Sequence, residues 1–149
     1  MSHTIVKKVL NNGTKNFILH CYLSSSGDPD LDNYELIDPT LYDDLLPPSD
    51  RLIAPKMKLT ITQLWHSFSE FNGLLSFDYT DPSPVWVLAQ NFQCHTDFRH
   101  FGGLADRYVN PQDKTATDRT GKILLSTRGF NEIGSIGTLI LEVKKSLEF

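Results

Sequence analysis

The segment His95–His100 holds the residue types most suited to bind a metal ion, in the order His-Thr-Asp-Phe-Arg-His. In an extended strand, side chains two residues apart share a face, so His95 and Asp97 point one way and His100 the other. One imidazole and one carboxylate suit a divalent cation, but a structural zinc site needs about four ligands. The alternative is that Asp97 pairs with Arg99 or caps a turn. We therefore expect no metal site here.

Three alternating aspartates, Asp28, Asp30 and Asp32, have the spacing that opens a calcium-binding loop. That loop requires a glycine at its sixth position, where this chain has Asn33, and no pair of helices flanks the segment. A weak cation site is one interpretation. A solvated acidic loop is the interpretation that the sequence favours.

Nucleophilic catalysis has little support in the sequence. The two cysteines, Cys21 and Cys94, lie far apart, and the apolar run around Cys21 predicts a buried thiol. Ser67 and Ser69 lie near His66, but adjacent strand residues point to opposite faces. The sequence contains no Gly-x-Ser-x-Gly elbow and no phosphate-binding glycine loop. We expect no catalytic residue, no cofactor and no enzymatic activity.

Aromatic residues cluster in the middle of the chain, and such clusters also occur on carbohydrate-binding surfaces. Most of them fall in alternating strand patterns, for which core packing is the ordinary explanation. The cluster consists of Trp65, Phe77, Tyr79, Trp86, Phe92, Phe98 and Phe101, whereas Tyr22, Tyr34, Tyr42 and Tyr108 are expected nearer the surface.

Length and charge narrow the function classes. The 149 residues fit one domain, 1–149, and no apolar run approaches the roughly 20 residues that span a bilayer. The first residues, Met1–Thr4, lack the features of a signal peptide. Net charge is −4, and the region Asn16–Asp50 carries eight acidic residues with no Lys or Arg. Since nucleic-acid binding requires clustered basic residues, we expect neither nucleic acid nor membrane as a partner, and a soluble protein.

The elements that position these residues are predicted to be strands. Alternation of apolar and polar residues, with β-branched and aromatic types, predicts eight of them. Their predicted ranges are Thr4–Leu10, Phe17–Leu23, Tyr34–Ile37, Lys58–Phe71, Leu74–Tyr79, Val85–Leu88, Lys122–Thr127 and Thr138–Lys144. In the second of these strands the alternation places Phe17, Leu19, Cys21 and Leu23 on one face, and in the last it turns Leu139, Leu141 and Val143 inward. Asn12-Gly13 and Asn72-Gly73 are typical of tight hairpin turns.

One short helix is predicted to begin at Asp38, with Pro39 at its first position and Pro47-Pro48 ending it. An acidic loop spans about residues 24–56, and residues 146–149 break the strand pattern as a possible flexible tail. The absence of alternating strands and helices predicts an all-β fold, either an antiparallel β-sandwich or a jelly-roll-like barrel of about eight strands.

The order of several short motifs resembles that of small virion structural proteins of tailed bacteriophages. The shared motifs include Val6-Lys7-Lys8-Val9, Ile37-Asp38, Leu59–Trp65, Leu75-Ser76-Phe77-Asp78, Asp97–Leu104, Gly121–Thr127 and Gly137–Val143. They run through most of the chain, and their shared order is more specific than any one of them.

The resemblance implies a non-enzymatic virion protein, most simply a capsid decoration (cement) protein made in the bacterial cytoplasm and placed on the capsid surface. Its implied partners are the major capsid protein and further copies of itself in a homotrimer. The alternatives are a neck or tail component of the same virus and a carbohydrate-binding β-sandwich module. We further hypothesise that Arg99 holds a structural corner in Asp97–Leu104 by bonding to backbone carbonyls.

Overall fold

Nine β-strands make up most of the part of the chain that the computed structural model describes, namely residues 2–13, 15–37, 57–77, 83–90, 93–104 and 122–147. The strands are β1 (Thr4–Asn12), β2 (Asn16–Ser24), β3 (Tyr34–Ile37), β4 (Met57–Phe68), β5 (Asn72–Phe77), β6 (Ser83–Leu88), β7 (Gln93–Asp97), β8 (Ile123–Arg128) and β9 (Ile136–Leu147). A single 3₁₀ turn covers Arg99–Phe101. The helix predicted from Asp38 lies outside the described residues.

The strands form two antiparallel sheets, and this confirms the predicted all-β sandwich. The five-stranded sheet has the order β1-β2-β9-β4-β7, and the four-stranded sheet has the order β3-β8-β5-β6. The prediction of eight strands omits β7, an edge strand. Its sequence, Gln-Cys-His-Thr-Asp, lacks the apolar alternation by which the other strands are recognised.

Period-two patterning explains how the core forms. Phe17, Leu19, Cys21 and Leu23 of β2 were predicted to share a face, and all four are buried. On β9 the predicted inward residues Leu139, Leu141 and Val143 are buried as well. The opposite sheet and three loops contribute Leu36, Ile37, Leu75, Phe77, Leu88, Ile123, Leu125, Phe71, Phe98 and Phe130 to the same apolar cluster.

The strand β9 is the centre of the five-stranded sheet. It pairs with β2 from Ser24↔Ile136 to Asn16↔Lys144 and with β4 from Phe68↔Gly137 to Met57↔Leu147. The prediction of a tail from residue 146 is wrong for residues 146 and 147, because their backbone continues the ladder with β4. Residues 148 and 149 lie outside the described residues.

Two glycines make room for a phenylalanine ring between the sheets. A Cβ on Gly73 would lie 2.7 Å from Cε2 of Phe68, and one on Gly137 would lie 2.7 Å from Cδ1 of the same ring. The predicted Asn72-Gly73 turn is therefore wrong, since both residues lie in β5. The chain turns earlier, after β4, where Glu70 has a positive φ of 64°.

Candidate functional site

The segment Asp97–Leu104, which we call the corner, begins at the last residue of β7 and turns around a buried phenylalanine, Phe98. Nε of Arg99 lies 2.9 Å and 3.1 Å from the two carboxylate oxygens of Asp97, and Nη2 donates to Oδ2 at 2.7 Å. The backbone N–H of Arg99 also donates to Oδ1 at 2.9 Å. These bonds hold the pKa of Asp97 well below its ordinary value and raise the pKa of Arg99. The predicted pairing and cap are confirmed, but the hypothesis that Arg99 binds backbone carbonyls is wrong.

Two glycines let the corner close against β4. Gly102 and Gly103 have φ of 81° and 91°, in the left-handed region that favours glycine. Leu104 and Ile61 exchange two backbone hydrogen bonds of 2.7 and 2.9 Å. A Cβ on Gly103 would lie 2.6 Å from Cγ2 of Thr60 and 2.9 Å from the carbonyl oxygen of Ile61. The paired glycines of the motif are thus explained by backbone shape and by a close approach.

A second turn, which we call the tip, forms where the loop after β2 meets the turn after β8. The Asp30 carboxylate accepts hydrogen bonds from Oγ1 of Thr127 at 3.1 Å and from the backbone N–H groups of Gly129 and Phe130 at 3.1 and 2.6 Å. The interpretation of a solvated aspartate is therefore wrong for Asp30. Asp32 is exposed, as that interpretation predicts.

His3 closes the tip from the other side. Its ring centroid lies 4.5 Å from that of Phe130, and its Nε2 lies 2.7 Å from the carbonyl oxygen of Pro29. The backbone N–H of Ser26 donates to Nδ1 of His3 at 3.2 Å, so the ring proton lies on Nε2 and reaches Pro29. Asp28 accepts a bond from Oγ of Ser26 at 2.9 Å. The aspartates of the proposed calcium pattern thus have separate surroundings.

The side of the five-stranded sheet that faces away from the four-stranded sheet is called here the outer face. Strand register aligns one row of side chains across all five strands on this face: Lys8, His20, Ile140, Trp65 and His95. The row beside it contains the cross-strand pair Val6 and Tyr22, which are 53% and 36% exposed, and Ile136 beyond it is 47% exposed. Apolar and aromatic side chains therefore reach solvent on this face.

A chain of stacked and hydrogen-bonded side chains occupies the β4 side of the outer face. The rings of Trp65 and His95 stack at 4.6 Å with an interplanar angle of 3°. Nε2 of His95 lies 2.9 Å from Oε1 of Gln63, whose Nε2 donates to Oε2 of Glu142 at 2.6 Å. His95 and Asp97 thus share a face but have different partners. Sequence reasoning misses Gln63 and Glu142, whose signal is a polar residue at an outward position of an otherwise apolar strand.

On the inner side of the same sheet, His66 is a buried polar side chain. It is 6% exposed, its Nε2 lies 3.2 Å from the carbonyl oxygen of Ala89, and its Nδ1 has no hydrogen-bond partner among the described residues. Burial lowers the pKa of His66. Register places it opposite Cys94, whose exposed thiol lies 3.5 Å from Oγ1 of Thr96. Ser67 points to the outer face, so His66 is placed as a core residue.

The second thiol belongs to the core. Cys21 is buried, which confirms the prediction, and burial raises its pKa to about 11 although the charge of Lys7 opposes this rise. Nζ of Lys7 lies 3.2 Å from the carbonyl oxygen of Glu35, 3.4 Å from that of Leu36 and 5.4 Å from the ring centroid of Tyr34. Tyr34, expected nearer the surface, is partly buried against the core.

The aromatic residues of the central cluster have mixed positions. Phe77 and Phe98 are buried, whereas Trp86 is 37% exposed and Phe101 is 75% exposed, so core packing explains only part of the cluster. The Trp86 ring meets Phe98 edge to face at 4.8 Å. Tyr22 is exposed as expected. Tyr42, Tyr79, Phe92 and Tyr108 lie outside the described residues.

Within the described ranges, no three His, Cys, Asp or Glu side chains converge as a metal site would require. The same ranges contain no helix of the length and apolar character needed to cross a membrane. A comparison with known proteins finds no matching protein-family model, no matching curated protein and no matching solved structure. The outer face, with its exposed apolar and aromatic residues, is therefore the candidate functional surface of the described chain.

Proposed function

We propose that this chain is a non-enzymatic structural protein of a tailed-bacteriophage virion, most simply a capsid decoration protein that works by adhesion. The observation that carries the proposal is the group of large apolar side chains exposed on a well-packed sandwich. On the outer face of the five-stranded sheet these are Val6, Tyr22 and Ile136. Exposed apolar patches of this kind are typical of surfaces that contact another macromolecule.

The motifs that resemble phage virion proteins support the proposal because they build the scaffold. The Asp97–Leu104 motif is the corner, and the described part of Gly121–Thr127 is largely β8. Gly137–Val143 lies in the central strand β9, with Gly137 in contact distance of the Phe68 ring. Residues in these positions stabilise the sandwich itself, as we expect for a protein that functions through its surface rather than through an active site.

The mechanism would be burial of surface area, repeated by symmetry. A standard protein interface buries roughly 800 Å² per partner. Many such contacts on one lattice give avidity well beyond that of any single contact. The partners would be the major capsid protein and further copies of this chain, in a homotrimer if the resemblance extends to assembly. In the virion, the protein would act as a clamp between neighbouring capsid subunits.

The copy number of the chain in purified particles of the phage that encodes it tests the proposal. Quantitative mass spectrometry with isotope-labelled peptides gives the ratio of this chain to the major capsid protein. A ratio of the same order as that of the capsid protein is the expected result. A handful of copies per particle would instead indicate the neck or tail, and absence from the particle would overturn the structural proposal.

The alternative function is that of a carbohydrate-binding module. One face of the Trp65 ring is stacked on His95, and Trp86 packs against Phe98. Sugar rings bind to open aromatic faces, so these contacts reduce the ring area that a glycan could reach. A glycan array together with tryptophan quenching decides the matter. Saturable quenching by one glycan class would favour the module, and the decoration proposal predicts none.

A further inference from the structure

One ring nitrogen of His66 is buried without a hydrogen-bond partner among the described residues. This atom is Nδ1, on a side chain that is only 6% exposed. The other nitrogen, Nε2, lies 3.2 Å from the carbonyl oxygen of Ala89. A carbonyl oxygen can only accept, so the ring proton is on Nε2 and the lone pair is on Nδ1. A buried acceptor that binds nothing is costly, and native structures usually supply it with a protein partner, a water or an ion.

Strand register places a thiol next to this ring. His66 on β4 lies directly opposite Cys94 on β7 and directly opposite Leu139 on β9, so its cross-strand neighbours are one thiol and one apolar side chain. Opposite side chains of an antiparallel pair point to the same face, with Cβ atoms about 4.5–5.5 Å apart. Bonds from zinc to sulfur and to imidazole nitrogen are about 2.3 Å and about 2.0 Å long. An ion of similar size can therefore bridge the two side chains.

The hydrogen bond from His66 to Ala89 is the arrangement typical of a metal-ligating histidine. Such a histidine donates its second ring N–H to a carbonyl or carboxylate, which fixes the ring and leaves the other nitrogen to bind the metal. Burial lowers the pKa of His66, so the ring is neutral and its lone pair is available at pH 7. The Cys94 thiol is exposed and lies 3.5 Å from Oγ1 of Thr96, so an ion can reach it from solvent.

The chemistry of the pair favours a soft monovalent cation. Thiolate sulfur selects soft ions such as Cu(I), and these ions accept as few as two ligands. A structural zinc site takes four, and within the described ranges no third His, Cys, Asp or Glu side chain joins the pair. A thiolate and a monovalent cation also form a neutral unit. Neutrality suits a buried ring whose edge meets Phe68 at 5.4 Å, because an uncompensated charge is costly there.

We propose that Cys94 and His66 form a binding site for a soft monovalent cation of the Cu(I) type, held between Sγ and Nδ1. On binding, the thiol releases its proton to solvent, and the sulfur and Nδ1 each donate an electron pair to the ion, whose oxidation state does not change. The bound ion would tie the five-residue edge strand β7 to β4. This inference goes beyond the proposed function and does not depend on it.

Titration of the reduced full chain with silver(I) tests the site, since Ag(I) shares the ligand preference of Cu(I) but is not readily oxidised or reduced. Native mass spectrometry in chloride-free buffer should show one ion per chain, because the other thiol, Cys21, is buried. Imidazole ¹H–¹⁵N spectra of the parent chain should show that the Nδ1 resonance of His66 shifts on binding while Nε2 keeps its proton. Binding without a change at His66 would overturn the inference, and so would the absence of binding.

Two variants and a matched control separate the pair from a lone thiol. We expect Cys94→Ser to abolish binding and His66→Gln to weaken it at least about tenfold. His95→Gln is the control, because His95 follows Cys94 in β7 but lies on the outer face, where its Nε2 is 2.9 Å from Oε1 of Gln63. It should bind silver as the parent does. Equal affinities of His66→Gln and the parent would assign binding to the thiol alone, and weaker binding by His95→Gln than by His66→Gln would assign it to the outer face. Either result would overturn the inference.

Thermal unfolding gives a readout of the strand contact. A cation that binds only the folded pair should raise the melting temperature of the parent by about 5 °C at saturation and leave that of Cys94→Ser unchanged. The same rise in Cys94→Ser would contradict the site.

Discussion

The tip and the corner contain the same three parts, a carboxylate, a buried phenylalanine and a glycine with positive φ, but the chain brings them together differently. At the corner, Asp97, Phe98 and Gly103 come from one short stretch. At the tip, Asp30 follows β2, whereas Phe130 and its glycine follow β8. The corner is a local motif, and the tip exists only where two distant segments meet.

This difference sets what each carboxylate contributes. The partners of Asp30 include two backbone N–H groups in a part-buried turn, and loss of the acceptor would leave them unsatisfied. Asp97 is paired with Arg99, an exposed side chain that water can hydrogen-bond if the carboxylate is lost. The sequence motif that is easiest to recognise is therefore the one whose ion pair should matter less for stability. Four measurements test this ranking.

Asp30→Ala should have the largest effect, because it removes the acceptor of three hydrogen bonds in the tip. We expect a loss of about 3 kcal/mol in the free energy of unfolding, measured by urea denaturation. Asp32→Ala is the matched control, since Asp32 is an exposed aspartate of the same loop. Equal effects of the two substitutions would show that Asp30 does not anchor the tip.

Gly103→Ala should come second, at about 1–3 kcal/mol for a left-handed non-glycine residue, with a further cost from the close approach to Ile61. Gly102→Ala is the control, because Gly102 has a similar φ but no atom within 4 Å of its Cβ position. Thermal unfolding of both variants separates backbone strain from steric contact. If Gly102→Ala were the more damaging, the close packing of the corner against β4 would not be its main constraint.

We expect mild acid to destabilise the fold through His66 in the core. Its folded pKa lies below the ordinary value of 6.5, so its contribution to stability is full above pH 6.5 and is lost as pH falls below that value. The melting temperature should therefore drop between about pH 7 and about pH 5. His66→Gln should flatten this part of the pH profile. A profile unchanged by His66→Gln would assign the drop to other groups.

Arg99→Ala should have the smallest effect. Its side chain is exposed and bonds to Asp97, whose backbone cap to residue 99 survives the substitution. We expect a melting temperature close to that of the parent at neutral pH. The lowered pKa of Asp97 adds stability above its ordinary value of 3.8 that is lost as pH falls further, and the variant should lose part of that dependence. A large drop at neutral pH would place the corner above the tip in the ranking.

The sequence was informative where one physical signal dominated. Alternation in β2 and β9 predicted both the strands and their buried faces, and the neighbouring charges predicted the pairing of Asp97 with Arg99. The sequence wrongly predicted a turn at Gly73. This glycine lies in β5 because a side chain there would collide with the Phe68 ring, and that contact depends on tertiary packing. The sequence also failed at Asp30, whose hydrogen-bond donors lie about a hundred residues away.

The outer face is a second feature that the sequence did not predict. Trp65 belongs to the aromatic cluster for which core packing is the ordinary explanation, and only the register across the sheet shows that it lies in a row with His20, Ile140 and His95. The bulge between Ile61 and Gln63 changes which residues of β4 point inward. The alternation of apolar and polar residues along one strand does not reveal this bulge.

The position of β9 at the centre of its sheet has a consequence for the order of folding. β1 and β2 can form a hairpin early, but β2 ends at Ser24 and its other neighbour begins at Ile136. On the ribosome, the β2 edge of that hairpin must stay unpaired until nearly all of the described chain has emerged. Contacts of such long sequence separation slow folding and prolong exposure to aggregation. Cell-free synthesis of chains shortened before residue 136 should therefore yield protease-sensitive, chaperone-bound products rather than half of a sandwich.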